Sequence, residues 1–100
     1  MYKVLILGIA KNDIKEAAIW YDSQKKGLGK KFTTEIRKQL QMVRINPYVH
    51  AVKYDSINTI ILKKFPFMIH YSIDESIRTI LISAVLHTSR NPAIWTERNE

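Results

Sequence analysis

The chain has 100 residues, 46% of them hydrophobic and 10% aromatic, enough for one small core and well away from the composition of a disordered segment. It contains no cysteine, which excludes a disulfide framework, a thiolate metal site and a cysteine nucleophile. Sixteen Lys and Arg outweigh nine Asp and Glu for a net charge of +7, and nearly all of the excess lies between Lys25 and Arg44, where Glu35 is the single acid. Such a block raises the local potential and points to an acidic protein or a polyanion, unless it is simply the solvated face of a helix.

The first segment, Tyr2 to Ile9, is rich in Val, Ile and Leu and predicts a strand covered on both faces. The apolar run from Val4 to Ala10 is far short of the ~20 residues that span a membrane and lacks a basic leader. A soluble, cytoplasmic protein with no membrane association is expected. Asn12 or Asp13 then offers a short side-chain oxygen to cap a helix. Ile14, Ala17, Ala18 and Tyr21 follow at helical spacing and predict one apolar stripe running to about Gln24.

Gly27-Leu28-Gly29 breaks that helix with residues suited to positive φ. Phe32, Ile36, Leu40 and Val43 predict a second helix from about Leu28 to Ile45, its lysines outward, stopped by Asn46-Pro47. Beyond Val49 the period falls to two. Ile57 to Lys63 predicts one strand. Phe65, Phe67, Ile69, Tyr71 and Ile73 alternate with more polar residues in the next, His70 among them. After the turn Asp74-Glu75-Ser76, Ile77 to His87 predicts a last strand with Ile80, Ile82, Ala84 and Leu86 on one face and Thr79, Leu81, Ser83, Val85 and His87 on the other. Pro92 suits the first turn of a short terminal helix holding Ile94 and Trp95. Trp20 and Trp95 are expected to pack in the core or to dock a helix. The expected architecture is a single α+β domain over residues 1–100: an N-terminal strand, a two-helix hairpin and a three-stranded antiparallel meander, with the helices packed on one sheet.

In that order of elements, "DIKEAAIWYDSQKKGLGKKF", "NPYVHAVKY", "FPFMIHYSID" and "AVLHTSRNPAIWTER" together resemble the RelE/ParE superfamily of type II toxin-antitoxin toxins, often labelled plasmid stabilisation proteins. The resemblance covers roughly Asp13 to Arg98. It implies a growth-inhibiting toxin silenced by a cognate antitoxin in an oligomeric complex. It also implies one of two actions on the same fold: ribosome-dependent cleavage of messenger RNA in RelE-like members, or poisoning of DNA gyrase in ParE-like ones. Fold alone does not choose between them. A third reading is a non-toxic basic nucleic-acid-binding module.

Metal-free RNA cleavage needs a base for the 2′-hydroxyl, an acid for the leaving oxygen and cations on the phosphate. His87 suits the proton steps and Arg90, three residues on, the phosphate. The resemblance places both where RelE-like nucleases carry site residues, and the plain alternative is that His87 ends a strand and Arg90 pairs with an acid such as Asp22 or Glu97. Lys63, Lys64 and Arg78 are candidate contacts to nucleic acid or target, and Lys30, Lys31, Arg37 and Lys38 to an acidic antitoxin segment that folds as it binds. Asn58 stands where many relatives place an arginine, and this, with the lack of a dense Arg/Lys/Tyr set, tilts the expectation toward the gyrase reading. No cluster suits a metal and no cofactor is expected.

Overall fold

A computed structural model describes residues 1–89, leaving Arg90, Pro92, Ile94, Trp95 and Glu97 outside the described residues. The described chain forms β1 (Lys3–Ile6), α1 (Gly8–Gln24), α2 (Leu28–Ile45), β2 (Val52–Tyr54), β3 (Ile57–Ile61), β4 (Phe67–Asp74) and β5 (Thr79–His87). The strands make one sheet in the order β1-β5-β4-β3-β2. β1 runs parallel to β5, and the remaining pairs are antiparallel. No described helix is long and apolar enough to cross a membrane.

The expected class holds, with four differences. β1 ends at Ile6, and α1 begins at Gly8, four residues ahead of the expected caps. Leu7 takes the N-cap position with no side-chain hydrogen bond, so nothing in the sequence marks the start. Since Lys3 and Leu5 are exposed while Val4 and Ile6 are half-buried, the strand is not covered on both faces. β2, a three-residue edge strand, was not expected, and the positive φ of Asp55 and Ser56 closes its hairpin to β3.

The fourth difference is a bulge. His70 faces Ala84 whereas Tyr71 faces Ile82, so Ser83 is an extra residue on β5. One extra residue reverses the alternation. Val85 therefore shares the helix-side core with Ile80 and Ile82, while Ala84 and Leu86 turn to the other face and cluster with Met68 and Tyr54. Asp13 explains the stability of this kink: freed from the expected capping role, its Oδ2 accepts the Val85 N–H at 3.0 Å.

The helices cover one face of the sheet, with Tyr21, Phe32, Ile36 and Val43 meeting Ile60, Ile69, Tyr71 and Ile82. Trp20 does not join this core; it is 57% exposed and sets its edge against Tyr21. The fully buried Tyr71 reaches through the layer and donates its hydroxyl to the Pro47 carbonyl at 2.7 Å, while burial pushes its pKa up to about 12. Tyr71→Phe keeps the shape but strands that carbonyl. It is expected to lower the unfolding free energy by about 1–2 kcal/mol, and an unchanged urea midpoint would show that the bond contributes nothing.

Candidate functional site at the hairpin end of the sheet

The connection between β3 and β4 organises one end of the molecule. Leu62 N–H donates to the Phe67 carbonyl at 2.9 Å and Thr88 N–H to the Pro66 carbonyl at 2.8 Å, which ties the end of β5 to the loop bearing Lys63 and Lys64. From the same loop, Phe65 and Phe67 reach into an aromatic knot. Their ring centroids lie 5.2 and 5.1 Å from Phe32, and 4.9 and 6.0 Å from Tyr21. Edge-on contacts at such spacings favour the ring quadrupoles as well as burying area. The knot fixes the helical hairpin against the loop, and a hollow opens on each flank.

On one flank is an open groove of about 630 Å³, lined by Lys30, Lys31, Thr34, Glu35 and Lys38 of α2, by Leu28, and by Lys64 and Phe65 of the loop. Lys64 thus joins three of the lysines expected to meet an antitoxin on one surface. Exposed Lys63 and Arg37 do not line it.

On the other flank a recess of about 180 Å³ is lined by Asp13, Glu16, Ala17, Phe67, Val85, Leu86 and His87. The bulge is what brings His87 here, ring edge against Phe67 at 5.3 Å. Its Nδ1 accepts the Ser89 N–H at 3.1 Å and lies 2.7 Å from the Ser89 hydroxyl. An imidazole nitrogen that accepts an amide proton carries none itself, so the neutral ring holds its proton on Nε2 and its lone pair is engaged. The described walls of the recess carry two carboxylates and no Lys or Arg, the wrong sign for a phosphate.

Arg78 lies elsewhere, in the turn at the far end of the β4–β5 hairpin. Its guanidinium stacks 4.3 Å from the centroid of Tyr2. There Glu75 Oε2 accepts both the Tyr48 hydroxyl and, at 2.7 Å, the Tyr2 hydroxyl. The two donors hold the Glu75 carboxyl below the usual carboxylate range and, reciprocally, raise both phenols. With its folded value depressed, Glu75 stabilises the fold in full above about pH 4.5, its ordinary value, and loses that contribution as pH falls through the folded value. Thermal midpoints of the wild type and Glu75→Gln should therefore differ at about pH 6 and converge in acid; a gap independent of pH would refute the linkage.

A family model described as the ParE toxin of the type II toxin-antitoxin system, parDE, matches residues 4–92. The chain belongs to that family. This ParE-type toxin also shares its fold with solved structures. A chain of the chromosomal ParDE system from P. aeruginosa aligns with a TM-score of 0.75 and 15% identity, over 87% of this chain and 96% of that one. A chain of the toxin-antitoxin complex RelBE2 from Mycobacterium tuberculosis aligns with a TM-score of 0.61 and 14% identity, over 86% and 96%. None of the curated proteins matches the sequence.

Within the ParE-type toxin, Asn58 has a structural task. It is 4% exposed, on the helix side of β3 opposite Tyr71, and its Nδ2 donates to the His50 carbonyl at 2.6 Å. His70, on the other face, is buried and 3.0 Å from the Tyr54 hydroxyl. Two site features escaped the sequence reading, Asp13 at the bulge and Glu35 in the groove. Glu35 had a visible sign: three residues after Phe32 and one before Ile36, it is a carboxylate on the border of an apolar stripe.

Proposed function

We propose that this ParE-type toxin inhibits growth by acting on DNA gyrase, and that a cognate antitoxin neutralises it in an oligomeric complex. The observation that carries the choice of target is the setting of His87. Its lone pair is engaged by Ser89, and the carboxylates of Asp13 and Glu16 share its recess. A general base for the 2′-hydroxyl needs a free lone pair, and the phosphate being cleaved needs cations, which the described walls of the recess do not supply, so this setting favours the non-hydrolytic reading over RNA cleavage. The buried Asn58, in place of a cation, argues the same way. The solved relatives are parts of toxin-antitoxin systems, which supports an antitoxin partner. We assign its acidic segment to the exposed basic face of α2 carrying Lys30, Lys31, Arg37 and Lys38.

Induced expression should arrest growth and induce the DNA-damage response while cellular messages stay intact by primer extension. The purified toxin should inhibit gyrase supercoiling of a relaxed plasmid. His87→Ala is expected to keep at least half of that inhibition; new message ends in the wild type that vanish in His87→Ala would establish the endoribonuclease instead.

A further inference from the structure

The groove beside α2 carries more than a diffuse positive charge. Lys31, Thr34, Glu35 and Lys38 are spaced i, i+3, i+4 and i+7, so one helix face forms a wall, and Lys64 closes it from the loop. Among the described residues, no hydrogen bond or ion pair joins the side chain of Lys30, Lys31, Lys38 or Lys64 to another. Four lysines lining one concavity against the single carboxylate of Glu35 focus a positive field there. Along the helix, the backbones of Lys31 and Lys38 are about 10 Å apart at 1.5 Å per residue, a span along which a phosphate chain can lie.

Glu35 is the unexpected member. The residue is only 9% exposed, and its carboxylate lines the groove with no hydrogen bond or ion pair to another described residue. A carboxylate on the wall of a basic groove accepts hydrogen bonds, so the lining suits a ligand that brings a hydroxyl or N–H to Glu35 together with negative charge for the lysines. A nucleoside polyphosphate has both: acidic side chains take ribose hydroxyls in nucleotide sites, and ammonium groups take phosphates as point charges. Leu28 and Phe65 supply an apolar floor, and the volume is that of a small-molecule site. We propose that this groove binds a nucleoside polyphosphate, with the phosphate chain on Lys30, Lys31, Lys38 and Lys64 and a ribose hydroxyl donating to Glu35. This goes beyond the action on gyrase and stands without it, and the nucleotide would compete with the antitoxin segment for Lys30, Lys31 and Lys38.

The test is calorimetric titration of the full-length chain with ATP and, separately, with inorganic tripolyphosphate, which has the charge without the ribose. ATP should saturate one site, and Lys31→Gln and Lys64→Gln, from opposite walls, should each weaken it about fivefold. Glu35→Gln should move the two probes in opposite directions. It removes the charged acceptor of the ribose hydroxyl, weakening ATP about tenfold, and it removes a repulsive anion, strengthening tripolyphosphate. Circular dichroism of each variant guards against misfolding. No saturable binding of ATP up to about 10 mM, affinity indifferent to both lysine changes, or tightening of both probes in Glu35→Gln overturns the proposal. The last result would leave the groove as a basic surface suited to an acidic protein segment.

Discussion

Phe32→Ala is expected to lower the unfolding free energy by about 3–5 kcal/mol, the largest effect of any single truncation considered. Phe32 has no exposed surface, and its ring is shared by Tyr21, Phe65 and Phe67. These neighbours come from two separate segments, α1 and the β3–β4 connection, so the void left by the ring cannot be closed by a shift of one of them. A domain of this size typically has about 5–15 kcal/mol in total, and its melting midpoint should fall by roughly 15 °C or more at 4–8 °C per kcal/mol. The same knot holds the β3–β4 loop against α2, so Lys64 would lose its place opposite Lys31. A melting midpoint within about 5 °C of the wild type would show that the knot repacks around the gap.

The second large effect comes from adding a single carbon. A Cβ at Gly29 would lie 2.3 Å from the Ala18 carbonyl oxygen and 2.8 Å from the Asp22 Cγ, well inside contact distance. Helix propensity alone predicts that Gly29→Ala stabilises the protein by up to about 1 kcal/mol. The clash decides the sign, because its partner is backbone and cannot swing aside. The helices of the hairpin must part, which also pulls the Gly29 N–H from the Asp22 Oδ1 that accepts it at 2.8 Å. The net expectation is a loss of about 2 kcal/mol or more, read from the denaturation midpoint. A midpoint raised above the wild type would mean that the helices do not approach so closely. Gly27 differs: it has open space around it, and its need for glycine is the φ of 88° between the helices.

The hairpin was legible because its marks are local. Glycine in the left-handed region and proline after Asn46 bound α2 at Leu28 and Ile45, and the apolar stripe at 32, 36, 40 and 43 fixes its inner face. The faces of β4 were equally plain, with Ile69 and Tyr71 in the helix-side core and Met68 on the other face, although that second face is buried too at Met68 and His70. The start of α1 was hidden because its first turn, Gly8-Ile9-Ala10, continues an apolar run and no capping side chain announces it. The faces of β5 were half right for a different reason. A bulge is stabilised by something distant, here a carboxylate 72 residues away in the chain, and periodicity within the strand has no access to it. The candidate site divided in the same way. Charge clustering on α2 could be counted in the sequence, but the meeting of Lys64 with Lys30, Lys31 and Lys38 depends on the knot, and the recess at His87 depends on the bulge.

The order of the strands bears on how the toxin is made. β5, the last described strand to leave the ribosome, sits in the sheet between β4 and β1, the first. Until residue 87 has been synthesised, β1 has no neighbour to pair with and the helical hairpin has no complete sheet to cover. The meander β2-β3-β4 can begin to form during translation, but the basic groove and the His87 recess are finished only when the strand in the middle arrives. Both surfaces thus appear late and together, once β5 has emerged and closed the sheet between its two neighbours.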